Sequence, residues 1–325
     1  MNIIRFILTV ALFITTSTVS AQYCSQEGRY SNREFFSSIE IDSLKNRTYG
    51  TAVNVLGKSQ ELLIDFYYPN NTLDTLSKRP FVLLVHGGGF VGGNKESYMT
   101  NLCKEFAKRG FVAATITYRL GFDQNILGDH AVAVYRAQQD ANAALRYTLE
   151  NADTLKIDPA WIFMGGSSAG SITALMTAYG SQQEWNQFFP MLAEKLGPLN
   201  SSGNNFKQPF SIKAIFNNWG AVSPIVIKPE ELIPMISFHG ELDKVVSIDV
   251  SPYTGFGSRK LHNMLNEQGI CNDFTIDPKG GHSIYRDKEG AIFRVGRAAC
   301  FFKSLFCDTC SNFLSIETVS ANCSN

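Results

Sequence analysis

Short, uninterrupted apolar runs alternate with helically spaced ones along most of this chain. Phe81 to Val85, Trp161 to Met164, Ile212 to Phe216 and Met235 to Phe238 are apolar or small at nearly every position and too short for helices. That is the pattern of strands buried on both faces. Phe111 to Tyr118 and Asp273 to Ile276 add two more expected strands, whereas Leu62 to Tyr67 alternates and runs into Pro69, which predicts an edge strand. Helical spacing appears over Tyr98 to Arg109, closed by Gly110, and over Ala131 to Glu150, where Val134, Ala137, Ala141, Ala144 and Leu145 share a face. Ser171 to Tyr179, Gly257 to Gln268 and Glu289 to Phe306 read as further helices, and Asp158-Pro159 should interrupt the chain before the Trp161 strand. From Glu61 onward this order predicts an α/β fold: a mostly parallel sheet with helices on both faces. Ligands of such sheets bind beyond the carboxyl ends of the strands.

Composition narrows the class. With 325 residues, 44% hydrophobic and 18% charged, the chain can bury the core of one large domain. Lys plus Arg and Asp plus Glu both number 29, so nothing favours nucleic acid, and a neutral ligand is expected. A balanced total says nothing about how the charges are distributed.

Residues 1–21 read as a cleavable signal peptide: Arg5, the apolar stretch Phe6 to Ile14, polar Thr15 to Thr18, then Val19-Ser20-Ala21 before Gln22. Its apolar core falls short of the roughly 20 residues that span a bilayer. The expected location is therefore secreted or periplasmic, without stable membrane insertion. Export makes the seven cysteines disulfide candidates, and their odd number leaves at least one unpaired within the chain. Cys307-x-x-Cys310 with Cys323 would staple the tail 307–325, and a zinc reading lacks a second pair or a nearby histidine.

Chemistry is concentrated in Gly166-Ser167-Ser168-Ala169-Gly170, between an expected strand and an expected helix. A serine in a cramped strand-to-helix bend needs glycine, or nearly so, two positions away on each side. Ser168 has Gly166 and Gly170 there; Ser167 has Gly165 but Ala169, a poorer fit. Upstream, His86-Gly87-Gly88-Gly89-Phe90 follows the Phe81 strand and leaves backbone N–H groups unshielded, as an oxyanion-binding loop requires. Neither a P-loop nor a dinucleotide fingerprint fits its spacing.

A serine nucleophile needs a base, and a carboxylate to orient that base. Of five histidines, His86 belongs to the glycine loop, His130 opens a helix, His262 lies within one and His239 ends a strand. His282, in Lys279-Gly280-Gly281-His282-Ser283 after the last expected strand, is the candidate base. Asp243, after the Met235 strand, is the candidate acid, with Glu241, Asp249 and Asp277 as rivals. The order serine, acid, histidine is that of one hydrolase fold.

These residues resemble the α/β-hydrolase serine esterases, particularly the carboxylesterase and hormone-sensitive-lipase-like branch that includes bacterial acetylxylan and feruloyl esterases. The resemblance covers about Glu61 to Phe306 and is also carried by Thr117 to Leu120, Gln139-Asp140, Ala144 to Arg146, Ile157 to Pro159 and His239-Gly240. Ser167 departs from it, since hormone-sensitive-lipase relatives usually carry aspartate there. The resemblance implies acyl transfer to Ser168, with His282 as base then acid, Asp243 holding its tautomer, and the N–H groups of Gly87, Gly88 and Ala169 as oxyanion hole. No metal or organic cofactor is implied. The expected substrate is a small-molecule or polysaccharide-linked ester, acetyl or feruloyl, with lipids and polyesters open, and Trp219 and Phe90 are candidate substrate contacts. A secreted serine peptidase and a non-enzymatic binding module are the alternatives. The expected domain spans 22–306, with a candidate cap at 181–210 containing Trp185, Phe188 and Phe189.

Overall fold

The computed structural model describes residues 22–96, 98–123, 128–316 and 323, so the expected signal peptide lies outside the described residues. In chain order the elements are β1 (Ile41–Val53), β2 (Ser59–Pro69), β3 (Arg79–Val85), α1 (Tyr98–Lys108), β4 (Val112–Ile116), α2 (Asp129–Glu150), β5 (Ile157–Ser167) and α3 (Ala169–Tyr179). There follow α4 (Gln182–Phe188), α5 (Met191–Leu196), β6 (Ile212–Asn218), β7 (Ala221–Val222), β8 (Met235–Gly240), β9 (Val250–Ser251) and β10 (Gly255–Gly257). The last are α6 (Ser258–Glu267), β11 (Asn272–Asp277), α7 (Lys288–Phe306) and β12 (Phe313–Ser315).

Nine strands form one sheet in the order β1-β2-β4-β3-β5-β6-β8-β11-β12, and β7, β10 and β9 form a small antiparallel one. Pairing is antiparallel at β1/β2 and β2/β4 and parallel from β4 onward. The uninterrupted apolar runs have a direct cause. Alternate residues of a strand face opposite sides, and here Phe81, Leu83 and Val85 pack with α2, α3 and α6 while Val82 and Leu84 pack with α1 and α7. On the second face Phe163 of β5 lies flat against Phe302 of α7, their ring centroids 3.9 Å apart.

Two expectations are corrected. β2 is not an edge strand, because β1, from a segment outside the resemblance, pairs along its outer side from Ile41↔Pro69 to Val53↔Ser59. Asp158-Pro159 does not end the chain's extended run. β5 passes through it, and the missing proline donor is absorbed as a register shift between Arg79↔Ile157 and Phe81↔Ile162.

The tail is built into the fold. Disulfides join Cys24 to Cys307, Cys271 to Cys310 and Cys300 to Cys323, and β12 extends the parallel sheet beyond β11. Cys103 is free and buried on α1. Arg119, just past β4, forks onto Asp140 of α2, with Nη2 2.7 Å from Oδ1 and its own backbone N–H 2.7 Å from Oδ2. This buried bidentate pair fastens the loop after β4 to the helix beneath the site.

Candidate active site

The bend between β5 and α3 is a single residue. Ser168 has φ 54° and ψ −121°, a conformation that L side chains rarely adopt. Its N–H donates to the carbonyl of Asn218 at 2.9 Å. The flanking glycines follow from close packing: a Cβ at Gly170 would lie 1.9 Å from the Val85 carbonyl oxygen, and one at Gly166 would lie 2.5 Å from that same atom. The bend can therefore sit against the end of β3 only with no side chain at either place.

His282 reaches this serine from the loop after β11. Its Nε2 is 3.0 Å from Ser168 Oγ, and its Nδ1 is 2.7 Å from Asp243 Oδ2. In a neutral imidazole, Nδ1–H then donates to the carboxylate and Nε2 accepts from the hydroxyl. The other oxygen of Asp243 accepts from the N–H groups of Val245 at 2.8 Å and Val246 at 3.0 Å. Burial pushes the Asp243 pKa up, but donors from His239, His282, Val246 and Val245 outweigh it and hold the carboxyl well below its usual range. The rival acids are engaged elsewhere: Glu241 and Asp249 both pair with Arg259, and Asp277 accepts from Lys279 N–H. Ser167 is buried, and its hydroxyl has no hydrogen-bond partner among the described residues.

His239 was legible only as the end of a strand, and the structure gives it more. Its Nε2 lies 2.9 Å from the Val246 carbonyl oxygen and 3.2 Å from Asp243 Oδ2, and its Nδ1 lies 2.7 Å from Ser258 Oγ. Ser258 in turn accepts from Asn217 Nδ2 at 3.0 Å. One carboxylate oxygen thus receives two imidazoles, one facing the serine and one fully buried. The position of His239 directly before Gly240 was the available signal; the partner at 258, on another element, was not.

The glycine loop lies against the bend. A Cβ at Gly87 would stand 2.6 Å from the Ser167 carbonyl oxygen and 3.3 Å from Ser168 Cβ, while Gly88 has φ 118°. The loop is held from below, where Tyr118 Oη donates to the His86 carbonyl at 3.0 Å and His86 Nδ1 contacts the Gly87 carbonyl at 2.8 Å. Burial pushes the His86 pKa down, which keeps this ring a neutral donor.

Ser168, His282, Gly87, Gly88 and Trp219 line one cavity of about 460 Å³. Trp219 is held at φ 45° with its N–H on the Phe238 carbonyl, its ring edge-on to His282 and the Arg294 guanidinium 5.1 Å from its centre. Phe90 corrects an expectation. It is 1% exposed, packs edge-on against Tyr118 and His130, and does not line the cavity, because the chain turns at φ 63° and carries its ring into the core. The candidate cap likewise contributes nothing to this cavity's lining. Trp185 donates to Gln138 Oε1 at 2.7 Å and packs on Tyr135, fixing 181–210 against α2. Among the described residues no group of three or more His, Cys, Asp or Glu is placed to hold a metal.

Similarity to known structures is broad in fold and low in identity. An esterase from Thermogutta terrifontis has a TM-score of 0.58 at 18% identity, covering 85% of this chain and 97% of the other. Esterase B from Lactobacillus rhamnosis has 0.56 at 15%, covering 93% and 97%, and a truncated carbohydrate esterase from gut microbiota has 0.54 at 17%, covering 86% and 100%. These likenesses show the fold, that of the α/β-hydrolases. More particularly, the BD-FAE family model matches residues 64–231, just over half of the chain, and the chain belongs to that family. Among curated relatives, an AB hydrolase superfamily protein of Schizosaccharomyces pombe is 34% identical over 120 residues. A probable isoprenylcysteine alpha-carbonyl methylesterase of Oryza sativa is 30% identical over 123. These matches cover 36% and 38% of this chain but only 32% and 26% of the relatives.

Proposed function

We propose that this protein cleaves carboxylic esters through an acyl-enzyme on Ser168. The reading is carried by the continuous hydrogen-bonded line from Ser168 Oγ through His282 to Asp243. Ser168 Oγ attacks the ester carbonyl while His282 Nε2 takes its proton, and the Asp243 carboxylate stabilises the imidazolium. The N–H groups of Gly87, Gly88 and Ala169 receive the developing oxyanion; losing one such donor costs about 3 to 4 kcal/mol in transition-state stabilisation. His282 then protonates the departing alcohol, and water repeats the sequence on the acyl-enzyme to release the acid. Trp219 forms a wall of the acyl site.

The substrates are short-chain acyl groups on carbohydrates. In support, one similar structure is that of a carbohydrate esterase and another that of an esterase with bound propionate. The protein acts outside the cytoplasm, supported by three disulfides and by the amino-terminal apolar stretch. No helix among the described residues is long and apolar enough to cross a membrane. Ser168→Ala should cut hydrolysis of p-nitrophenyl acetate by roughly 10⁶-fold with the melting temperature nearly unchanged. Activity surviving in this variant would mean that Ser168 is not the nucleophile.

A further inference from the structure

A second cavity, of about 500 Å³, lies beside the first, and Tyr98 and Arg286 line both. Its volume is in the range of ligand clefts, roughly 300 to 1,000 Å³. Its charge is one-sided. Lys45, Lys104, Lys108, Arg286 and Lys288 line it, against Glu105 and Asp287 alone. Both acids are already engaged: Glu105 pairs with Lys108 and Arg109, and Asp287 accepts the Gly290 N–H at the start of α7. Lys45, Lys104, Arg286 and Lys288 have no carboxylate partner among the described residues, and all four are exposed. The chain as a whole is neutral, so this is a local concentration of positive charge.

Three separate segments build it. Lys45 comes from β1, Lys104 from α1, and Arg286 with Lys288 from the entry to α7. At the junction the Arg286 guanidinium lies 5.1 Å from the centre of the Tyr98 ring, which fixes one cation where the two cavities meet.

The geometry points to a subsite for an anionic portion of the substrate: an ester carried on a carboxylate-bearing sugar chain, with the uronate units in the basic cavity while the acyl group meets Ser168. A cleft lined by one sign of charge concentrates ligands of the other and raises association rates by roughly 10- to 1,000-fold. This assignment rests on the esterase reading, and it replaces the neutral ligand expected from net charge alone.

The test compares acetylated galacturonate oligomers with acetylated xylose oligomers of equal length, both against p-nitrophenyl acetate. At low ionic strength the native protein should favour the galacturonate ester in kcat/KM by about tenfold or more, with the preference shrinking as salt screens the cleft. The triple variant Lys45→Glu, Lys104→Glu, Lys288→Glu should lose that preference and keep its rate on p-nitrophenyl acetate. If its melting temperature falls, the Gln triple replaces it, with the same expectation. No preference in the native protein, or a preference that survives both triples, overturns the subsite. Should the native protein fail on every ester, the failure belongs to the catalytic reading. The subsite is then read by calorimetric binding of an unacetylated galacturonate oligomer, which must bind the native protein at least tenfold more tightly than the triple; equal binding overturns it.

Discussion

Ser168 occupies its uncommon backbone conformation in a bend whose two flanking glycines have no room for a side chain. The carbonyl of Val85 leaves no room beside Gly166 or Gly170, and Asn218 holds the serine's N–H. This much was readable from the sequence, since a five-residue spacing of glycines reports local crowding. The pairing of His282 with Asp243 was readable only through chain order. His239 was not readable, because its contribution is a buried hydrogen bond to a residue whose own role came from a different loop. We expect His239→Leu to remove one donor from Asp243 and loosen the carboxylate that orients His282. Since a misplacement of about 1 Å can cost roughly 100-fold in rate, kcat should fall about 10- to 100-fold with KM little changed. Steady-state kinetics on p-nitrophenyl acetate distinguish this from general destabilisation, which would lower the amount of active enzyme and the melting temperature together.

Among the elements, the central parallel strands and the long helices were visible in the hydrophobic pattern to within two residues at most ends. What failed was the edge. Leu62 to Tyr67 alternates in sequence, yet both of its sides are paired, and β1 carries too many polar residues to signal a strand. Whether a polar segment such as β1 forms a strand depends on its cross-strand neighbours, which local sequence does not encode. The junction of α6 with β11 gives a testable titration. His262 is buried on α6, its Nδ1 2.7 Å from Asn272 Oδ1, its ring stacked on Phe274, and burial pushes its pKa down to about 4. The folded state therefore favours neutral His262, and its contribution is complete above the unfolded value of about 6.5 and is lost as pH falls from there toward 4. Asp273 acts oppositely over part of this window, since burial raises its pKa to about 6 despite Arg297. Comparison with His262→Gln isolates the histidine: between pH 6.5 and 4 the native melting temperature should fall more steeply than the variant's. Parallel curves would show that His262 is not the group responsible.

At the scale of the whole molecule, the ends of the described chain are brought together. Cys24 bonds to Cys307 across a separation of 283 residues, and Tyr23 and Tyr30 pack on Phe306 beside it. The pairing was invisible in the sequence because seven cysteines admit many partners and spacing chooses none of them. Cross-linking so long a loop restricts the unfolded chain strongly, by about 5 to 6 kcal/mol in the chain-entropy account. The double variant Cys24→Ser, Cys307→Ser should lose about 3 to 5 kcal/mol, read as a lower urea midpoint with a steeper slope, because the unfolded chain exposes more surface without the bond. An unchanged midpoint would mean that this bond is not formed in the folded protein.

That same bond sets an order of events during synthesis. Cys24 leaves the ribosome long before Cys307, and the next thiol to follow it is Cys103, which ends up interior and unbonded. An oxidant acting on the growing chain meets that wrong couple first. In an oxidising host we expect a lower yield without a disulfide-shuffling catalyst than with one, and Cys103→Ala should narrow that difference by removing the competing thiol, read as the amount of folded protein recovered.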